Sequence, residues 1–142
     1  MELKKRIPEP ELMNDIDQVE AYASADFSRA DQKFAELIQS DWGSNKLSSI
    51  IDLGCGPGNI SHLLAKKFNS AQVLGVDGAE EMLKIARKRM QEDELENLKY
   101  LKELIPLKSA EKFDIVCSNS LLHHLHKPMD FWSSIERALD LN

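Results

Sequence analysis

Ile50-Ile51-Asp52-Leu53-Gly54-Cys55-Gly56-Pro57-Gly58-Asn59 is the stretch that decides how this chain folds. Ser48 to Leu53 is a short apolar run reaching Asp52, the pattern of a parallel strand buried on both faces. Three glycines follow at once. Without β-carbons they let the backbone bend sharply and let a ligand come close to it. Beyond them Ile60, Leu63, Leu64 and Phe68 lie along one stripe of a helix. The free N–H groups and partial positive charge at that helix's start suit an anionic or polar ligand.

Working outward from the turn, strands and helices alternate. Ala71 to Val76 reads as a second strand, and Glu80 to Gln91 as a helix with Met82, Leu83, Ala86 and Met90 inward. Asn97 to Leu101 is a weaker strand and Phe113 to Ser118 a fourth. Pro128 to Leu139 reads as a closing helix, with Pro128 near its start, where a missing N–H costs nothing. Upstream, Met1 to Pro10 is expected to be extended. Glu11 to Tyr22 is expected to be helical with Leu12, Ile16 and Val19 on one face. A second helix follows, with Ala30, Phe34, Leu37 and Ile38 inward and Gly43 as its terminator. This order predicts βαβ units on a parallel sheet. Residues 1–47 are read as a helical segment of the same domain, and 48–142 as its core.

Bulk properties narrow the function. Hydrophobic residues make up 42% and charged residues 30% of 142, an ordinary soluble balance. A net charge of −6 argues against a nucleic-acid surface. Lys84, Arg87, Lys88 and Arg89 cluster, but Glu92, Asp93 and Glu94 follow, so the group reads as the solvated face of a helix. Cys55 and Cys117 lack paired spacing, which suits a reducing compartment. No apolar run reaches the length of a membrane span, and the first ten residues lack the hydrophobic centre of a signal peptide. No membrane association is expected, and a cytoplasmic location is.

Asp77 ends the second strand, placed to accept hydrogen bonds from a ribose diol. A nicotinamide or flavin fingerprint would set its third glycine at position 59. Asn59 stands there, and Gly58 comes one residue early. Asp52-Leu53-Gly54-Cys55-Gly56-Pro57-Gly58 closely resembles the first motif of class I S-adenosylmethionine-dependent methyltransferases. Gly75-Val76-Asp77-Gly78-Ala79-Glu80-Glu81-Met82-Leu83 is similar to their second motif, and Lys112 to Leu125 to their fourth-strand region.

That resemblance, over residues 48 to 140, implies an α/β fold. It is a Rossmann-like three-layer sandwich with a parallel sheet in strand order 3-2-1-4, preceded by the two N-terminal helices. It implies S-adenosyl-L-methionine as cofactor and a small-molecule methyl acceptor. Carried over residue by residue, Gly54, Cys55 and Gly56 pass beneath the methionine moiety and Gly58 permits close helix packing. Asp77 holds the ribose hydroxyls, while Gly78 and Met82 border the adenosine. Asn119 offers its carbonyl to the methionine ammonium, and Asp52 ties to the loop or, through water, to that ammonium.

Departures from the family pattern set further expectations. The segment Leu98 to Pro106 is short, leaving adenine to Glu103 or to the amide of Leu104. The sequence ends at Asn142, where the loop to a fifth strand would begin, so the usual last strands are expected to be lacking. The fourth strand is then left with a bare edge that recruits a second copy into a homodimer. His123, His124 and His126 have no carboxylate or cysteine at ligand spacing, so no metal is expected. His124 is expected to line the acceptor pocket, and Tyr22, between the N-terminal helices, to close over the cofactor or else to pack the helices together. Methyl transfer chiefly needs alignment of donor and nucleophile, so the missing catalytic base is no objection. A catalytically silent binding or assembly module is the alternative.

Overall fold

The computed structural model describes residues 5–9 and 12–141. Met1 to Lys4, Pro10 and Glu11, on which parts of the extended leader and the first expected helix fall, lie outside the described residues. Among the described residues, no helix is long and apolar enough to cross a membrane.

Helix α1 spans Ile16–Ser24, later than the periodicity suggests, because Asp15 caps it by accepting the Gln18 amide at 3.1 Å. Leu12 therefore stands in coil ahead of the helix rather than on its face. Helix α2 spans Ser28–Trp42 and stops at Gly43, where φ is +72°. Its inward stripe is offset from expectation. Asp31 and Ala35 are buried with Phe34 and Ile38 beside them, while Ala30 and Leu37 face outward.

Four parallel strands follow: β1 Ser49–Leu53, β2 Gln72–Asp77, β3 Leu98–Lys102 and β4 Ile115–Ser118. Their order is β3-β2-β1-β4. In register, Asp52 lies between Gly75 of β2 and Cys117 of β4. Helix α3 (Asn59–Lys67) links β1 to β2, and α4 (Glu80–Glu92) links β2 to β3. The chain closes with α5, Pro128–Ala138.

Side chains alternate along each strand, and this splits the core in two. Ile50, Val73, Leu98 and Cys117 pack with Ile60, Leu64 and Ala65 of α3 and Ala35 of α2. Ile51, Leu53 and Val76 turn the other way and meet Phe131 and Ala138 of α5 with Phe113 and Leu125. Fully burying one such aliphatic side chain stabilises by roughly 1.5–3 kcal/mol. The same alternation sends Asp52 to the α3 side, so a carboxyl is carried into the interior by the pleat.

Near the chain's end two boundaries differ from the sequence reading: the fourth strand starts at Ile115 rather than Phe113, and the last helix stops at Ala138. The last helix releases Leu139, which forms a parallel bridge with Phe113. The Phe113 amide donates to Ala138 O at 2.8 Å and the Asp140 amide to Phe113 O at 2.9 Å. The outer edge of the fourth strand is thus covered at its base, not bare along its length.

Candidate functional site

Because β1, β2 and β3 run to one side and β4 lies on the other, the crevice of this sheet opens at the carboxyl ends of β1 and β4. Ligands of open α/β sheets bind at such a switch point. Two segments line it: the glycine turn after β1 and Asn119 to Leu121 after β4.

The turn is tied to β2 by its own amides. Gly54 N and Cys55 N both donate to Val76 O, at 2.7 and 3.0 Å. Gly56 N donates to Asp77 Oδ2 at 2.8 Å, and Ala79 N donates to Asp77 Oδ1 at 2.8 Å. The surface that the turn offers to the crevice is therefore its Cα and carbonyl side. Gly56 sits at φ +54° and Gly58 at φ +88°, a region that side-chain-bearing residues rarely occupy. At Gly58 space is closed as well, since a β-carbon would strike the Tyr100 hydroxyl and come within 2.9 Å of His62 Nδ1. His62 and Tyr100 share a hydrogen bond of 2.9 Å behind the turn, and burial lowers the His62 pKa.

Asp52 is 1% exposed and accepts the Ser61 hydroxyl at 2.6 Å. Burial, with the charges of Asp77 and Asp31 nearby, lifts its pKa from 3.8 to about 7 against the lowering effect of the Ser61 bonds. Asp31, on α2, is also buried, and its carboxyl is pushed upward by desolvation despite a hydrogen bond to Asn59. The Cys55 thiol is raised first by burial and then by Asp52, which keeps it protonated and poorly nucleophilic.

Tyr22 lies over the turn, its ring edge 3.9 Å from where a Gly56 β-carbon would be, and Phe27 packs beside it at 5.4 Å between ring centroids. Burial raises the Tyr22 phenol, helped by the charges of Asp31 and Asp77. The crevice thereby divides into two chambers sharing Tyr22, Gly54, Gly56, Asn119 and His124. One is bounded by Asp77, Gly78, Met82, Glu103 and Leu104. The other is bounded by Asp31, Asp52, Cys55, Asn59 and His123. Gly58 borders neither chamber and faces His62 and Leu63 behind the turn. Glu103 stands at the rim, its carboxylate accepting the Lys108 amide at 2.5 Å.

Three participants escaped the sequence reading. Asp31 lies off the stripe Ala30, Phe34, Leu37 and Ile38 by which that helix is recognised. Arg89 was grouped with the solvated face of α4, yet its guanidinium reaches Ala23 O at 2.7 Å, Asn59 Oδ1 at 2.8 Å and Pro57 O at 3.2 Å. It joins the end of α1 to the turn. Its neighbours Lys84, Arg87 and Lys88 do pair with glutamates at the surface. Glu9 comes within 3.7 Å of His123 Nε2 and 3.9 Å of His124 Nδ1, supplying a carboxylate that sequence spacing did not show.

A parallel sheet in this order, a glycine turn at its switch point and an acid closing β2 define a Rossmann-like α/β domain. Residues 44–142 match the model of the methyltransferase domain family, and the chain belongs to that family. Over 118 residues it is 27% identical to malonyl-[acyl-carrier protein] O-methyltransferase of Priestia megaterium, covering 83% of this chain and 42% of that protein. A 41-residue stretch is 54% identical to trans-aconitate 2-methyltransferase of Variovorax paradoxus, covering 29% of this chain and 16% of the relative. The chain thus spans less than half the length of these curated relatives. A SAM-dependent methyltransferase from Aquifex aeolicus shares the fold with a TM-score of 0.71 at 24% identity, over 89% of this chain and 68% of that one.

Proposed function

We propose that the crevice binds S-adenosyl-L-methionine and directs its methyl group to a small-molecule acceptor. The observation that carries this reading is the pairing of Gly56 with Asp77. It sets a side-chain-free turn and a carboxylate suited to a ribose diol side by side on one wall of the crevice. Charge supports it as well. The donor carries a sulfonium and an ammonium against one carboxylate, and Asp31 and Asp52 border the chamber where those cations would lie, with Asp77 in the adjoining one. The nucleoside belongs in the chamber of Asp77, Gly78 and Met82, with Glu103 or the Leu104 amide toward adenine. The methionine end belongs beside Asp52, Cys55 and the Asn119 carbonyl.

Chemistry in this reading is alignment. The sulfonium is already electrophilic, so Tyr22 and His124 need only hold the acceptor in line and exclude water. Such positioning is worth up to about 7–11 kcal/mol of the barrier. Calorimetry on protein freed of carried-over ligand should show binding of the donor and of its demethylated product. Absence of both would end the proposal. Binding without turnover of any acceptor would favour the silent module instead. The open stretch of β4 beyond Phe113 is proposed to take a second copy, and a monomer in sedimentation at high concentration would refute that part.

A further inference from the structure

The segment before α1 is pinned to the loop after β4. Arg6 donates to Leu125 O at 2.7 Å and to Leu122 O at 2.9 Å, gripping the short 3-10 turn Leu122–His124. That grip sets Glu9 against two adjacent histidines, whose ring centroids are 4.0 Å apart. Glu9 Oε2 lies 3.7 Å from His123 Nε2 and 3.9 Å from His124 Nδ1, and one donor atom from each of the three residues falls within 4.8 Å of the other two. These gaps are too long for hydrogen bonds. They are close to the separation of donors that share one ion, about 3.3–3.5 Å around tetrahedral zinc with bonds near 2.0–2.1 Å.

We propose that Glu9, His123 and His124 form a binding site for a divalent transition-metal ion of the zinc type. Two imidazoles and one carboxylate favour such an ion over magnesium or calcium, which take all-oxygen shells. Three protein ligands leave a fourth position open. Glu9, His123 and His124 all border the chamber that also holds Asp52 and Asn119, so the open position lies at the mouth of that chamber. The ion would join the N-terminal strap to the β4 loop across the crevice. If the methyl-transfer reading holds, it would also offer the acceptor's oxygen or nitrogen a Lewis acid. The site itself does not depend on that reading.

The test is a titration of zinc into the full chain, stripped with a chelator and kept near neutral pH, with a chromophoric chelator as competitor. One ion per chain is expected, and thermal unfolding of the wild type should move upward with zinc. Glu9→Gln and His123→Ala should each weaken binding by about 10-fold or more, since even outer-shell changes cost metal sites that much. His126→Ala should leave it unaltered. Glu9 and His123 are exposed, and unfolding midpoints of their variants without metal should match the wild type. No stoichiometric binding, unaltered affinity in Glu9→Gln (a bare histidine pair), or loss in His126→Ala would each overturn the site. None of these readouts involves methyl transfer, so failure here leaves the donor-binding reading intact.

Discussion

Asp77 holds Gly56 from the end of the neighbouring strand: the glycine amide donates to Oδ2 at 2.8 Å while Ala79 N donates to Oδ1 at 2.8 Å. The carboxylate proposed to meet a ribose is thus the one that locks the glycine turn in shape. Each oxygen keeps a further lone pair for a hydroxyl. On the proposed reading, binding and local stability are linked through a single side chain.

Asp77→Ala should show both effects. Removing charge-assisted hydrogen bonds, each worth about 1.5–3 kcal/mol, should lower unfolding stability by an amount of that order. Donor affinity should fall by about 10-fold or more, because 1.4 kcal/mol is already a factor of ten. Urea unfolding and calorimetry read the two separately. An unmoved urea midpoint would mean that the turn does not lean on Asp77.

Gly58→Ala tests the back of the turn. The φ of +88° penalises any β-carbon, and this one would also meet Tyr100 and His62. Left-handed strain and overpacking each cost about 1–3 kcal/mol. The variant should lose stability on the order of both together, whereas Gly43→Ala, where nothing lies within 4 Å, should suffer only the backbone term. Equal losses at the two positions would contradict the packing account.

What the sequence made legible follows from which forces act locally. The run Ile50 to Gly58 and the apolar spacing of α3 and α4 report on their own neighbourhoods, so the parallel sheet and its turn could be read directly. The stripe of α2 was offset because Asp31 is buried, and hydrophobic periodicity has no way to flag a buried acid. Leu139 was assigned to α5 because it fits the helical stripe, but pairing with Phe113, far away in sequence, outweighed one more turn. Arg89 and Glu9 escaped for the same reason. Their partners Ala23, Pro57, His123 and His124 are distant along the chain, and a side chain's sequence neighbours say nothing of where a long guanidinium or a strap will reach.

Arg89→Ala should loosen the N-terminal helices more than the sheet. Its three hydrogen bonds join Ala23 at the end of α1 to Pro57 and Asn59 of the turn. Losing them should cost about 1–3 kcal/mol locally. Hydrogen exchange is expected to quicken in residues 16–25 while β1 and β2 stay protected, and limited proteolysis should cut near Ala25 first. Uniform quickening across the sheet would mean that Arg89 supports the core rather than the N-terminal helices.

Asp52 makes the domain sensitive to pH in a definite direction. Its carboxyl titrates at about 7 in the fold against 3.8 unfolded, chiefly because burial disfavours the charge. Between those values the native state keeps a proton that the unfolded chain has released, so stability is fully present in acid and declines as pH rises through this window. The decline amounts to at most about 4 kcal/mol, at 1.36 kcal/mol per unit. Asp52→Asn, which keeps an oxygen for the Ser61 hydroxyl but cannot ionise, should show a flatter profile over the same range. A ligand carrying an ammonium beside Asp52 would pull the carboxyl's pKa back down. Binding of the demethylated donor near pH 7 should therefore release about half a proton. Calorimetry in two buffers of different ionisation enthalpy measures that release directly, and Asp52→Asn should lower it markedly. Identical proton release in wild type and variant would show that Asp52 does not sense the ligand's charge.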